Sequence, residues 1–192
     1  MGNFRFIQTD IAGLVLVKPN VFTDSRGYFT ETYCKKDFEE SGIIANFVQD
    51  NQSFSRKNVI RGLHFQKKNP QGKLVRVLSG AVFDVVVDLR PNSKTFGKWF
   101  GIELSSQNRL QLYIPEGFAH GFQTLSDGAE FAYKCTRYYA PEDEGGIRWD
   151  DPEIGIAWQL ETGGSPILSE KDSRLPWFKN IKLDFCRLPE GV

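Results

Sequence analysis

Apolar and polar residues alternate along most of this chain in short runs rather than at helical spacing. "GLVLVKP", "NFVQDNQSFS", "KLVRVLSGAVFDVVVDLR", "KWFGIELS", "RLQLYIP" and "AEFAYKCTRYY" are rich in Val, Phe and Tyr and are separated by Gly, Pro, Asn or Ser. That pattern predicts strands. In "AVFDVVVDL", period two puts Val82, Asp84, Val86 and Asp88 on one face and Phe83, Val85, Val87 and Leu89 on the other. The second face is the more apolar and is read as the core side. Leu78-Ser79-Gly80 reads as a hairpin turn between two such runs. Only "KKDFEESG", Lys35 to Gly42, has a helical pattern, and it ends on a glycine stop.

Many short strands with almost no helix predict an all-β antiparallel sandwich or barrel with few short helices. The C-terminal third changes character. "APEDEGGIRWDDPEIGIAWQL" and "SPILSEKDSRLPWF" are rich in Pro, Gly and acidic residues, which suits a loop-rich cover over the sheets better than a second domain. The 192 residues then form a single domain, long enough to bury a proper core.

Composition adds constraints. The 24 basic and 24 acidic side chains cancel, so no overall field recruits nucleic acid or an anionic membrane. Any anion site must be local. Apolar runs such as Leu14 to Val17 and Val85 to Val87 are too short to span a bilayer, and the N-terminus has no charged start followed by an apolar run. Cys34, Cys135 and Cys186 are odd in number and widely spaced, without a CxxC pair; they read as reduced thiols of a cytoplasmic protein.

Within "IRGLHFQKKNPQGKLVRVLSG", Arg61, His64, Lys73 and Arg76 interrupt an otherwise apolar, strand-like stretch. Cations are rarely buried without a partner, so these are either solvated edge positions or the lining of an anion site. His64 by itself says little, since a lone histidine in a strand is more often a structural hydrogen-bonder. His120 lies in "YIPEGFAHGF", whose Pro-x-Gly-x-x-His spacing resembles the second motif of the cupin barrels. Many cupins hold a metal through a His-x-His pair plus this histidine, but the comparable place here reads His64-Phe65-Gln66. Two histidines cannot build a three-imidazole site, which argues against a metal-dependent cupin dioxygenase.

A more specific likeness extends from "VFTDSRGYF" through "VQDNQSFS", "VIRGLHFQ", "QGKLVRVLSGAVFDVVVDLR", "YIPEGFAHGFQTLSD" and "YKCTRYYAPEDEGGIRWDDPEIGIAW" to "LSEKD". In these segments, and in their order, the chain resembles the dTDP-4-dehydrorhamnose 3,5-epimerase family. The resemblance implies a cupin-type jelly roll, a homodimer, and no metal or organic cofactor. It implies a dTDP-sugar substrate, dTDP-4-keto-6-deoxy-D-glucose, inverted at C-3 and C-5. By the same resemblance His64 is the base, Asp172 its carboxylate partner and Tyr133 the proton donor. Lys73 corresponds to the lysine at the C-4 oxygen and His120 to a substrate contact. Arg26 and Arg61 match pyrophosphate contacts, and Glu31, Gln49, Asp50, Asn51, Glu144 and Lys171 match further binding positions. Tyr139, of the Tyr138-Tyr139 pair, is a candidate to stack on thymine, although an aromatic there also suits core packing.

These residue types suit the chemistry. A C-4 ketone acidifies the hydrogens on both neighbouring carbons, and epimerisation needs a base, an opposed acid and a group that holds the enolate oxygen. General acid–base catalysis supplies about 10² to 10⁴ in rate. A preorganised donor at the oxyanion adds roughly 3 to 4 kcal/mol.

One geometric problem stands out. On an ideal strand Arg61 and His64, three apart, point to opposite faces. They line one pocket only if Gly62 permits a bulge or Arg61 precedes the regular strand. In the family the segment holding Arg26 and Glu31 reaches into the partner's site, which implies active sites completed across a dimer interface. The alternatives are a single-centre epimerase or ketoisomerase on this scaffold, and a non-catalytic sugar-nucleotide sensor, which would tolerate loss of His64, Asp172 and Tyr133.

Overall fold

The computed structural model describes residues 2–161, 164–183 and 185. Its strands are β1 (Phe4–Gln8), β2 (Val15–Pro19), β3 (Val21–Asp24), β4 (Gly27–Thr30), β5 (Gln49–Arg56), β6 (Ile60–Gln66) and β7 (Lys73–Ser79). There follow β8 (Ala81–Asp88), β9 (Trp99–Ser105), β10 (Gln111–Ile114), β11 (Phe118–Thr124), β12 (Gly128–Cys135) and β13 (Glu144–Gly146). Two short helices, α1 (Lys35–Glu40) and α2 (Glu170–Ser173), complete the main elements.

The strands form a six-stranded sheet in the order β1-β2-β10-β7-β12-β5 and a five-stranded sheet in the order β13-β6-β11-β8-β9. All of the paired strands are antiparallel. The result is the double-sheet jelly roll expected for a cupin-type barrel. β3 and β4 pair only with each other, as a separate hairpin.

Leu78-Ser79-Gly80 is not a hairpin turn. β7 belongs to the six-stranded sheet and β8 to the five-stranded one, so the chain crosses between sheets at Gly80. The corner needs glycine there: φ is +78° and a Cβ would stand 2.1 Å from the Gly128 carbonyl oxygen. Turn residues alone do not distinguish a hairpin from a change of sheet.

β8 also differs from the expected strand with a single core face. Its Phe83, Val85, Val87 and Leu89 face is buried, but together with Ile147 and Ile154 and against Ile156, Trp158 and Phe178 of the C-terminal cover. Val82 and Val86 of the opposite face pack between the sheets with Val75, Val77, Leu112, Phe122 and Phe131. Both faces are therefore enclosed, and Asp84 is carried into the interior with the inter-sheet face. A strand covered on both sides loses the alternation that marks a half-buried one.

α1 folds its buried Phe38 against Phe4, Phe6 and Tyr33, with ring centroids 4.9 to 5.4 Å away. It ends at the predicted stop, where Gly42 has φ +91°. α2 lies in the cover, in a segment whose sequence gives no helical periodicity over its four residues. Among the described residues no helix is long and apolar enough to cross a membrane. Cys34 and Cys135 are free thiols, while Cys186 lies outside the described residues.

Candidate active site

The cavity opens between the sheets, and its two lobes share His64, Lys73, His120, Tyr133, Tyr139 and Glu144. One lobe, of about 520 Å³, is also lined by Arg61 and Asp172; the other, of about 200 Å³, reaches Gln49, Asn51, Gln66 and Cys135.

A bulge in β6 resolves the Arg61 and His64 problem. His120 of β11 pairs with His64, but Phe122 pairs with Arg61, so three steps on β6 answer two on β11. Gly62, at φ +119°, makes this possible: a Cβ would lie 2.6 Å from the Gly121 Cα. The Gly62–Leu63 peptide is cis. The extra residue lets Arg61 and His64 line one cavity.

His64 Nε2 stands 2.7 Å from Asp172 Oδ1. Asp172 is brought there by the cover. Ile167 bridges to Val59, and the Ile60 amide donates to the Ile167 carbonyl at 3.1 Å, tying the chain before α2 to the start of β6. The Ser169 hydroxyl then accepts from the Asp172 amide at 3.0 Å and caps the helix. Burial opposes charge on Asp172, but hydrogen bonds from His64, Ser169 and the Gly62 amide hold its carboxyl below the usual range. An ionised carboxylate only accepts, so Nε2 carries a proton, and the lone pair of the neutral tautomer is on Nδ1. Nδ1 lies 3.9 Å from Glu144 Oε1.

A second imidazole–carboxylate pair sits deeper. His120 Nε2 is 2.9 Å from Asp84 Oδ2, and the two residues are 7% and 0% exposed. Burial pushes the His120 pKa down against the attraction of Asp84, with Lys73 and His64 lowering it further. Asp84 was absent from the candidates read in the sequence. Its signal is an acid inside the valine run "AVFDVVVDL", where the alternation points to a strand face and not to chemistry.

Lys73 begins β7 opposite Cys135. Burial lowers its pKa, while Cys135, Asp84 and Glu144 pull it back up. No ion pair neutralises it among the described residues; its ammonium lies 5.8 Å from the centre of the Tyr133 ring. Tyr133 projects from β12, and burial raises its pKa. At the rim Tyr139 Oη donates to Glu144 Oε2 at 2.6 Å, and Lys171 Nζ donates to the same oxygen. The contact with Glu144 pushes Tyr139 up to about 12. Glu144 itself is held low: burial raises it, but Lys171, Tyr139 and His64 outweigh that. Gln49 accepts from the Tyr139 amide at 2.9 Å and donates to Asn51 Oδ1 at 2.9 Å, fixing one wall.

A cavity with an unpaired ammonium, a phenol and a carboxylate-backed imidazole can remove a proton from carbon and hold the resulting charge. Known proteins narrow that chemistry. The family model for dTDP-4-dehydrorhamnose 3,5-epimerase matches residues 8–180. The chain belongs to this family. The dTDP-4-dehydrorhamnose 3,5-epimerase of Methanothermobacter thermautotrophicus is 56% identical over 172 residues, which are 90% of this chain and 93% of that protein. The Neisseria gonorrhoeae protein of the same name is 57% identical over 184 residues, 96% of this chain but 56% of that longer protein. The crystal structure of dTDP-6-deoxy-D-glucose-3,5-epimerase RmlC from Legionella pneumophila Philadelphia 1, in complex with dTDP-4-keto-L-rhamnose, superposes with a TM-score of 0.90 at 48% identity. That match covers 93% of this chain and 95% of the other.

Of the positions matched to the family, His64, Asp172, Lys73, Tyr133, His120, Arg61, Gln49, Asn51, Tyr139, Glu144 and Lys171 line the cavity. Three do not. The Asp50 side chain is exposed and forms an ion pair with Lys134 at 2.9 Å, because neighbours on a strand face opposite ways. Arg26 sits on the β3–β4 hairpin, where its guanidinium grips Asp24 at 2.6 Å. Glu31 accepts from Asn3 Nδ2 at 2.8 Å, beside Cys34 and Asp37.

Proposed function

We propose that this protein inverts C-3 and C-5 of dTDP-4-keto-6-deoxy-D-glucose, giving dTDP-4-keto-L-rhamnose, without a cofactor. The observation that carries this is the convergence of the His64–Asp172 pair, Lys73 and Tyr133 on one cavity. His64 Nδ1 takes the proton from carbon and the C–H electron pair moves into the enolate. Asp172 supports the imidazolium through Nε2–H. Lys73 meets the charge that develops on the C-4 oxygen; its ammonium is engaged in no ion pair among the described residues and stands in a partly dry site, where such a contact is strongest. Tyr133 returns a proton from the opposite face. His120, neutral and fixed by Asp84, is a hydrogen-bonding contact for a sugar hydroxyl rather than a second base.

Arg61 suits the diphosphate. Its Nε donates to Ser55 Oγ at 2.8 Å and its Nη2 to the Phe54 carbonyl at 3.1 Å, neutral acceptors that orient the guanidinium and leave its charge unspent. Tyr139 is the candidate to stack on thymine beside Gln49 and Asn51. Arg26 and Glu31, remote from their own chain's cavity, serve the site of a second copy, so the working unit is a homodimer with shared sites. Free thiols and a nucleotide-sugar substrate favour a cytoplasmic reaction.

Incubation with the substrate in deuterated water, followed by NMR, tests the reading. Deuterium at both C-3 and C-5 is the expected result. Deuterium at one carbon means a single-centre enzyme, and no exchange by a folded protein that binds dTDP means a sensor.

A further inference from the structure

Inversion by one base and an opposed acid has a bookkeeping consequence. Each event leaves His64 with an extra proton and Tyr133 one short. A second inversion on the same sugar, or a second turnover, needs His64 neutral again. Asp172 cannot take that proton, because its hydrogen bonds hold it ionised and its contact is with Nε2. The surplus proton sits on Nδ1.

At the cavity rim Glu144 Oε1 stands 3.9 Å from that nitrogen. Its other oxygen is held by Tyr139 and Lys171, which fixes the carboxylate with one oxygen left facing His64. The side chain of Glu144 is only 12% exposed, whereas that of Lys171 is 55% exposed and Tyr139 is 49% exposed. Glu144 thus stands between the imidazole and the rim, where hydrogen bonds join it to the open side chains of Tyr139 and Lys171. Glu144 lines both lobes of the cavity, and β13 pairs it directly to the strand of His64.

We propose that Glu144 is the positioning residue that resets His64: its free oxygen accepts the Nδ1 proton between the two inversions and releases it to water at the rim. The transfer balances: imidazolium and carboxylate become neutral imidazole and carboxyl, and water then takes the proton from the carboxyl. The separation is about 1 Å beyond hydrogen-bond contact, a gap typical of unliganded catalytic pairs that tighten when substrate binds. Lys171 and Tyr139 limit how long Glu144 stays protonated, since both favour its ionised form.

This rests on the epimerase reading, and the experiment separates the two. Wild type, Glu144→Gln and Glu144→Ala are followed in deuterated water, first with enzyme in excess over dTDP-4-keto-6-deoxy-D-glucose and then at steady state. The relay predicts that in both variants the first proton abstraction falls less than the steps that follow it. Formation of doubly deuterated product and steady-state turnover should fall by about tenfold or more, and added formate should restore them in Glu144→Ala. An equal loss in the first abstraction would make Glu144 a substrate contact and overturn the relay. So would an unchanged ratio of doubly to singly deuterated product, or no response to formate. Absence of exchange in wild type would overturn the epimerase reading itself. dTDP affinity and melting temperature, measured alongside, show whether each variant is folded.

Discussion

His64 Nε2 and Asp172 Oδ1 are 2.7 Å apart although 108 residues separate them in the chain. The contact joins the five-stranded sheet to the C-terminal cover, so the proposed base is held by a segment outside the barrel. Asp172→Asn keeps the size of the side chain but no longer supports an imidazolium. Proton exchange at both carbons should fall by roughly 10² to 10⁴, with the loss in kcat rather than KM. His64→Asn should eliminate exchange at both carbons and leave dTDP affinity, measured by calorimetry, close to wild type. Exchange at the wild-type rate in either variant would remove the pair from the mechanism.

An ammonium at Lys73 that holds the enolate oxygen predicts an alkaline limit to turnover. Burial lowers its pKa, so as pH rises the ammonium is lost before an ordinary lysine, at about 10.4, would lose its own. Turnover should therefore decline on the alkaline side below that value. Lys73→Arg should keep the charge and abolish this limb, at a lower maximum because a planar fork replaces a point charge. Lys73→Gln should cost about 10² to 10³ in kcat. A limb that persists unchanged in Lys73→Arg belongs to another group.

Much of this was legible in the sequence, for identifiable reasons. Strands of the six-stranded sheet, such as Val15–Pro19, alternate buried and open positions, and period two finds them. The likeness in ordered motifs found the cavity residues, including Asp172 in a loop-like stretch. What was hidden depends on pairing between distant strands. Nothing near Gly80 says that its flanking strands enter different sheets, and nothing near Asp84 says that its face meets His120. The bulge at Gly62 was foreseen only as a condition, because its cause is Gly121 on another strand.

That close approach is testable. Gly62→Ala would place a Cβ 2.6 Å from the Gly121 Cα at a φ of +119°. A backbone forced this way costs on the order of 1 to 3 kcal/mol. The larger effect should be on chemistry, since the bulge brings Arg61 and His64 to one cavity. We expect a lowered melting temperature together with weaker dTDP binding and slower exchange. A variant that is destabilised yet exchanges at the wild-type rate would show that the bulge does not set the site.

Asp88 is a stability determinant away from the chemistry. Fully buried, it accepts from Arg90 Nε at 2.9 Å and Nη2 at 2.7 Å, from Ser93 Oγ at 2.6 Å and from Thr95 Oγ1 at 2.7 Å. Burial alone would raise its pKa, but these donors outweigh it and the carboxyl titrates below its ordinary range. Asp88→Ala leaves Arg90, itself 8% exposed, without its counter-charge and should cost about 3 to 5 kcal/mol. A carboxylate whose pKa is depressed by folding adds stability above its unfolded value, near 3.9, and loses it as pH falls through the folded value. In urea melts the gap between wild type and Asp88→Asn should be widest near neutrality and narrow below about pH 4. A gap independent of pH would mean that packing, not charge, holds this loop.

Shared sites make a prediction that a self-contained barrel does not. Arg26 is bound to Asp24 on an exposed hairpin whose Phe22, Tyr28 and Phe29 are also open to solvent. If that hairpin completes the site of a second copy, Arg26→Ala and His64→Asn impair different chains of the same site. Mixing the two variants under conditions that exchange subunits should then create dimers with one doubly impaired site and one intact site. With random reassortment, half the dimers are mixed and activity should rise to about a quarter of wild type. Each variant alone stays low, and diluting the mixture should lower its activity as dimers separate. If mixing restores nothing although light scattering shows a dimer, Arg26 acts within its own chain, and the hairpin must fold back to the cavity when substrate binds.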